Sequence, residues 1–465
     1  MSKPTPDHVD ADPSLLVPEV LLLADGPVRD HAVVVADGVF AAVGPAGRLV
    51  REHPHLTPVH LDGHLLMPGF VDAHHHLTQS FGSSLAFGEP SEIFRRVWVP
   101  LEGALNEEST YLSAKLAALE SLRGGFTTVA EAGTRAPVDT GVVGRAAADA
   151  GIRCVLGHVV CSDPDTPPRA AADALALAEK HLSRYEHHDL VHPSLALPTP
   201  ESAPERTLRA TADLARETGA VLQIHVNEHL AGVERSLLQH GRRPLEYLHA
   251  AGALGPWLLG AHATLLTPRE LTLLRESGAA ISYNPVASAW KGNAVAPASA
   301  MAEAGIRFGL GTDGTRGDAF RLVDAAETAQ RLAFGLHTGD SSCGGGWTWL
   351  EHATRLGADA VGLGSLTGTI AQGRAADFLL VDLAVPELAP SWDLPWELVR
   401  LTGRDQITAV VVAGRLRLWR GWPLDWDGHA LVETAARVGR EIGARAPVTR
   451  VHPTSTEHRT RSGSR

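Results

Sequence analysis

The chain has 465 residues, 44% of them hydrophobic and 20% charged, a composition typical of a globular protein longer than one average domain. Its net charge of −12 excludes a general affinity for nucleic acid or an anionic membrane surface. The three cysteines form no paired motif, so we expect no disulfide framework and a cytoplasmic location. Because no signal-peptide pattern and no long apolar run occurs, we expect no membrane association.

Short apolar runs separated by turn signals predict a small antiparallel β unit within residues 1–66. A similar strand–glycine–strand pattern returns near residues 407–419, so we predict that both chain ends build one small β-sandwich domain. The predicted domain parts are residues 1–66, residues 67–364 and residues 365–446, the last of them ending in a helix. The basic, Ser- and Thr-containing tail at residues 447–465 lacks core residues and is predicted to be disordered.

In the central part, short buried strands alternate with helical stretches. This βα rhythm predicts an α/β fold of the (β/α)₈ barrel type. The predicted strands cover residues 70–76, 127–130, 153–158, 190–197, 221–226, 257–261, 279–283 and 307–311.

Residues that can bind a metal or move protons follow several of these strands. The carboxyl ends of parallel barrel strands share one face, where active sites lie. Strand alternation also puts two of the three consecutive histidines of the first strand on the same face. Histidines and an aspartate suit a first-row divalent metal that leaves room for water. The candidates are His74, His76, His225, Glu228, His262 and Asp313.

The chemistry of these residue types explains why they belong together. A divalent metal lowers the pKa of a bound water from about 15.7 towards about 7, which makes hydroxide available at neutral pH. Glu228 lies three residues beyond His225, so it can reach over a substrate without binding the metal. His262 can hold or polarise the water, and Asp313 can both ligate the metal and accept the proton of the water.

Four motifs, in this order, resemble the amidohydrolase superfamily: PGFVDAHHH from Pro68, HVNE from His225, Ala261-His262, and GLGTDG from Gly309. Within that superfamily the chain is similar to the branch of S-adenosylhomocysteine, guanine and 8-oxoguanine deaminases and triazine hydrolases. The resemblance implies one divalent metal, zinc first with iron or manganese as alternatives, bound by His74, His76, His225 and Asp313. It also implies that Glu228 and His262 handle protons.

Substrate contacts are less defined by the motifs. Gln79 lies three residues past His76, where purine-directed relatives place an amide that pairs with the ring. Trp98 is a candidate for the pocket wall, and Lys291 and Arg316 are candidates for binding an anionic or carbonyl-bearing group. After the seventh strand the usual Pro-x-Ser-Asn segment is replaced by a segment with Ala287-Ser288, so the substrate can differ from those of well-known relatives.

From these features we expect a hydrolase that acts on carbon–nitrogen bonds other than peptide bonds. It would deaminate an amino-substituted nitrogen heterocycle, purine-, pyrimidine- or triazine-like, through attack of a metal-bound hydroxide and release of ammonia. Ring-opening amide hydrolysis or displacement of chloride at the same site is the alternative. A catalytically silent binding protein is a third possibility, but no expected ligand is missing. The expected partner is the small substrate, and relatives suggest a homodimer or higher homo-oligomer.

Overall fold

A computed structural model describes residues 5–89, 93–163, 165 and 167–452 of the chain. The first β region contributes five strands: β1 Ser14–Leu23, β2 Gly26–Val28, β3 His31–Ala36, β4 Val39–Pro45 and β5 Pro58–Pro68. A second sheet holds the next eight: β6 Phe70–His75, β7 Phe126–Glu131, β8 Arg153–Val159, β9 Val191–Leu197, β10 Leu222–Val226, β11 Leu258–His262, β12 Ala280–Tyr283 and β13 Phe308–Leu310. The last three return to the first sheet: β14 Phe378–Asp382, β15 Ile407–Val412 and β16 Arg415–Trp419.

The chain ends build one β domain together. β5 pairs in parallel with β1 and antiparallel with β14, so the N-terminal and C-terminal parts share one connected mixed sheet in the order β16-β15-β14-β5-β1-β3-β4. The strands of the predicted β-sandwich therefore lie in a single sheet, with an apolar cluster that includes Leu16, Val33 and Phe378. The domain boundaries given above remain predictions.

The eight central strands form the parallel barrel sheet that the βα rhythm predicts, in the order β13 to β6. The edge between β6 and β13 is bridged where the strands end, because the Asp313 N–H donates to the His74 carbonyl at 2.8 Å. β5 passes into β6 through Gly69, at which a Cβ atom would lie 2.1 Å from Thr127 Oγ1. Only glycine fits this close approach of the first two barrel strands.

Helices surround the barrel and close the β domain. In α7, for example, Leu208, Ala212 and Ala215 recur at helical spacing and are buried. The helices are α1 Pro6–Val9, α2 Ala46–Glu52, α3 Val99–Gly103, α4 Glu107–Arg123, α5 Gly141–Ala150, α6 Pro168–Arg184, α7 Glu205–Thr218, α8 Leu230–His240, α9 Pro244–Ala250, α10 Pro268–Ser277, α11 Pro285–Lys291, α12 Ala298–Glu303, α13 Ala319–Gln330, α14 Leu336–Thr338, α15 Gly345–Ala353, α16 Arg355–Ala360, α17 Leu394–Arg400 and α18 Gly428–Arg445.

Shorter turns complete the chain. Phe94–Trp98 and Arg331–Gly335 are π-helical turns, and Leu77–Gln79 is a 3₁₀ turn directly after the first barrel strand. Among the helices of the described part of the chain, none has the length and apolar character needed to cross a bilayer. Of the tail predicted to be disordered, residues 447–452 are described, and residues 453–465 lie outside the described residues.

Candidate metal centre and active site

Four predicted ligands meet at the carboxyl ends of the barrel strands. His74 belongs to β6, His76 follows it, His225 belongs to β10, and Asp313 stands three residues after β13. One ligand atom from each of the four lies within 4.8 Å of the others. The first and last strands are neighbours across the bridged edge, and this adjacency brings residues 74 and 313 together.

The nitrogen atoms of this cluster are arranged for a cation. His74 Nε2 is buried and has no hydrogen-bond partner among the described residues, and His76 Nε2 lies 3.4 Å from His225 Nε2. Asp313 Oδ1 lies 3.3 Å from His74 Nε2 and 3.4 Å from His76 Nε2. Imidazole nitrogens that face each other beside a carboxylate oxygen fit a divalent first-row metal.

The protonation of the histidines agrees with that fit. His225 Nδ1–H donates to the Pro198 carbonyl at 2.7 Å, which leaves the lone pair of Nε2 directed at the cluster. Burial, together with neighbouring His74, holds the pKa of His76 and of His225 well below the usual range. Neutral imidazole is the form that ligates a metal.

Asp313 faces two directions. While its Oδ1 faces the histidines, its Oδ2 lies 2.5 Å from Lys291 Nζ. Lys291 also donates to Glu228 Oε1 at 2.8 Å, so one ammonium joins the two carboxylates. Burial alone would raise the pKa of Asp313, but the Lys291 ammonium outweighs it and holds that pKa well below the usual range. The pKa of Glu228 is likewise held well below its usual range, although burial would raise it, because His262 and the Lys291 ammonium face it. Both carboxylates therefore start in their ionised form.

His262 is held in one tautomer by its neighbours on the next strand. Ser282 Oγ donates to Asn284 Oδ1 at 2.7 Å, which turns the Asn284 amide nitrogen to His262 Nδ1 at 3.2 Å. Because Nδ1 accepts this bond, the proton of neutral His262 is on Nε2. His262 Nε2 lies 3.6 Å from Glu228 Oε2 and 3.9 Å from Asp313 Oδ2. Burial lowers the pKa of His262 to about 3, so the ring is a neutral donor at this point.

The backbone at these strand ends is strained. The φ angles of Asn227, His262, Ala263 and Asp313 are 51°, 79°, 51° and 55°, in the left-handed region that non-glycine residues seldom adopt. The Asn227 amide donates to Glu270 Oε1 at 2.7 Å and to the Leu265 carbonyl at 3.1 Å, which holds one of the turns. Such strain costs about 1–3 kcal/mol per residue and is concentrated at functional sites.

A ring of buried polar groups beneath the ligands was not assigned a role from the sequence. Asp72 is fully buried, and it accepts from the N–H groups of His74 and Thr312 and from the Thr312 hydroxyl. Glu131 Oε2 accepts the N–H of Leu77 at 2.5 Å, directly after His76. The available signal was a carboxylate inside an otherwise apolar strand, which needs a buried partner. Asn284 was missed because its role depends on its contact with His262 on the neighbouring strand, which the local sequence does not show.

The predicted substrate residues separate into two groups. A cavity of about 410 Å³ opens over the cluster, and it is lined by Gln79, Trp98 and Lys291 as well as by Glu228 and Asp313. Arg316 does not line this cavity and lies 3.4 Å from Asp318 Oδ2 instead. Gln79, Trp98 and Lys291 thus line the cavity beside the candidate ligands, and Arg316 lies outside it.

Comparison with known proteins agrees with this architecture. The sequence profile of the amidohydrolase family matches residues 65–417. The 5-methylthioadenosine/S-adenosylhomocysteine deaminase of Syntrophobacter fumaroxidans is 30% identical over 436 residues, covering 92% of this chain and 98% of that protein. The structure of an adenosine deaminase from Xanthomonas campestris with bound zinc matches with a TM-score of 0.84 and 26% identity, covering 92% of this chain and 98% of that one.

A third neighbour supports the fold alone. The atrazine chlorohydrolase of Arthrobacter aurescens TC1, complexed with zinc, matches with a TM-score of 0.80 at 20% identity over 91% of this chain and 99% of that chain. The resemblance drawn from the sequence motifs is therefore confirmed at the level of the family, together with the barrel and the β domain shared by the chain ends. The chain belongs to the amidohydrolase family.

Proposed function

We propose that this chain is a metal-dependent hydrolytic deaminase of an amino-substituted nitrogen heterocycle. The observation that carries the proposal is the junction of two clusters that share Asp313: a four-ligand cluster, and a proton-handling cluster of Glu228, His262 and Asp313. The deaminase names of relatives that match over nearly their full length support the same reaction. Their names point to adenosine-like substrates, which is the class to test first.

His74, His76, His225 and Asp313 are the residues that would hold the metal, and zinc is the first candidate because similar structures contain it. A divalent ion there lowers the pKa of a water towards about 7 and so supplies a nucleophile at neutral pH. The remaining steps belong to the side chains of this chain.

Glu228 is the group proposed to protonate the ring nitrogen beside the carbon that bears the amine. It lines the cavity, and its Oε2 and Oε1 face His262 and Lys291 respectively. As the carbon becomes tetrahedral, a proton on the adjacent ring nitrogen removes the negative charge that would otherwise develop there. His262, whose Nε2–H faces both carboxylates, orients the attacking water. Because both carboxylates start ionised, each takes up one of the two protons of that water. Glu228 passes its proton to the ring nitrogen, and Asp313 passes its proton to the amine, so that the carbon–nitrogen bond breaks and ammonia leaves.

Gln79 and Lys291 are the proposed substrate contacts, and Trp98 forms part of the wall. Gln79 is 3% exposed and can both donate to and accept from a heterocycle edge. The Lys291 ammonium has one N–H left after its two carboxylate contacts, which suits a ring nitrogen or carbonyl oxygen of the substrate.

We also propose a cytoplasmic location and a homo-oligomeric state. The three free, buried cysteines fit a cytoplasmic location.

The test is a panel of adenosine-like nucleosides, aminopurines, aminopyrimidines and aminotriazines, assayed for ammonia, with chloride release and ring opening measured in parallel. The expected result is ammonia from at least one aminoheterocycle, loss of that turnover in Glu228→Gln, and unchanged metal content in that variant. Ring opening or chloride release without ammonia would replace deamination by the alternative reaction at the same site. Full activity of Glu228→Gln would remove Glu228 from its role.

A further inference from the structure

One wall of the cavity comes from the segment that follows β6. We define the cavity wall as residues 77–89 and 93–99, which include Gln79, Phe94 and Trp98 among the lining residues. The segment has little regular structure of its own, with two 3₁₀ turns and one π-helical turn. Contacts with other parts of the chain therefore help to hold its shape.

The principal contact is a buried carboxylate. Glu89 is 4% exposed and receives donors from both the cavity wall and the C-terminal end of the chain. Arg96 Nη1 donates to Glu89 Oε2 at 2.6 Å from within the wall. The N–H groups of Val451 and His452 donate to the same carboxylate at 3.0 and 3.2 Å, and Arg450 Nε lies 3.4 Å from it. Charge-assisted bonds of this kind are stronger than neutral ones.

The backbone of the C-terminal strap, which we define as residues 447–452, adds further contacts. The Thr449 N–H donates to the Arg96 carbonyl at 2.9 Å, and Arg450 Nη2 donates to the Phe87 carbonyl at 3.2 Å. Val448 packs in the apolar cluster that joins α18 to Trp98. The strap therefore touches the wall on both its polar and its apolar side.

The charge of Glu89 persists at any working pH. Desolvation would raise its pKa, but the Val451 N–H and the Arg96 guanidinium outweigh this and lower the pKa of Glu89 to about 2.

We propose that the C-terminal strap is part of the active site, and that Glu89 and Arg450 are positioning residues that hold the cavity wall in the shape that binds substrate. The strap holds the wall but contributes no group to the reaction. Its loss therefore weakens substrate binding through the wall and leaves the chemical step unchanged. The kinetic part of this inference rests on the proposed function, while its structural part does not.

The experiment compares three variants with the full chain: Glu89→Gln, a chain that ends at Val448, and Arg437→Ala as matched control. Ending at Val448 keeps the apolar contact and removes the donors of residues 449–452. Arg437 also lies on the C-terminal side, in α18, but its exposed partner Glu441 at 3.1 Å is not in the wall. The measurements are hydrogen–deuterium exchange of the wall amides, metal content, and KM and kcat for the substrate identified by the panel.

We expect Glu89→Gln and the chain that ends at Val448 each to raise KM about 10-fold, with kcat within roughly twofold. A charged hydrogen-bond network of this size changes an equilibrium by at least that factor. Wall amides should exchange about 10-fold faster, with unchanged metal content, and Arg437→Ala should match the full chain. Equal exchange and equal KM in all variants would overturn the proposal, as would a fall in kcat with unchanged KM. If the full chain deaminates no heterocycle, the proposed function fails and the exchange comparison still decides the role of the strap.

Discussion

Replacement of Asp72 by alanine should weaken both the fold and the metal site. Asp72 accepts from the His74 N–H at 3.2 Å, from the Thr312 N–H at 2.9 Å and from the Thr312 hydroxyl at 2.5 Å, and His75 Nδ1 lies 3.0 Å from it. These bonds join the first barrel strand to the segment that carries Asp313, across the edge where the barrel sheet closes.

The magnitude follows from the number of donors left without a partner. Three buried donors at about 1–3 kcal/mol each give roughly 3–6 kcal/mol after partial relaxation. For a folding unit as large as the barrel, this loss of unfolding free energy corresponds to a fall in Tm on the order of 6–12 °C. Because the same bonds orient two neighbours of the ligands, metal affinity should fall about 10- to 100-fold.

The assay is thermal unfolding of the metal-free chain together with metal affinity by competition with a chelator. Asp72→Asn is the matched control, since its remaining oxygen keeps both backbone N–H bonds and only the contact to the hydroxyl and to His75 changes. We expect Asp72→Asn to lose less than about half of what Asp72→Ala loses. A Tm within about 2 °C of the parent chain and an unchanged metal affinity for Asp72→Ala would show that these hydrogen bonds stabilise neither the fold nor the site.

Three further predictions concern single residues. Glu228→Gln should lower kcat about 10²- to 10⁴-fold, the usual range for a proton-transferring side chain, at constant metal content measured by mass spectrometry. Gln79→Leu should raise KM with less effect on kcat in steady-state assays, because Gln79 is proposed to bind the ring; a kcat effect alone would contradict this. Burial lowers the pKa of His181 and of His352 to about 4, so between pH 6.5 and 4 these histidines bind protons in the unfolded chain but not in the folded chain. The free energy of unfolding, measured at several pH values, should therefore decrease as the pH is lowered from 6.5 to 4, by up to about 1.4 kcal/mol per pH unit for each histidine. His352→Gln should make this dependence on pH less steep.

The ligand residues could be predicted because their positions follow from two regular features of the backbone, strand alternation and the parallel barrel. Alternation along a strand puts His74 and His76 on one face, and the parallel barrel brings the ends of β6, β10, β11 and β13 to the same side. Neither step depends on the packing of particular side chains. The family motifs added the division of roles among these residues, which spacing alone left open.

Other features depend on contacts that no local pattern encodes. Lys291 lies between two carboxylates because α11 begins at Pro285 and ends over the cavity, a geometry set by packing. Arg316 follows the same strand as Asp313, yet it turns to Asp318 and not to the cavity. The composition of residues 447–452 favours disorder, but composition cannot reveal the buried carboxylate of Glu89 against which they lie.

The metal content of the purified full chain shows whether the four candidate ligands bind an ion. After dialysis against metal-free buffer, we expect about one equivalent of a divalent transition metal per chain by mass spectrometry, and loss of most of it in His225→Ala. A chain that neither retains nor takes up such a metal, or a His225→Ala variant that binds it as tightly as the parent, would rule out a metal site at these residues.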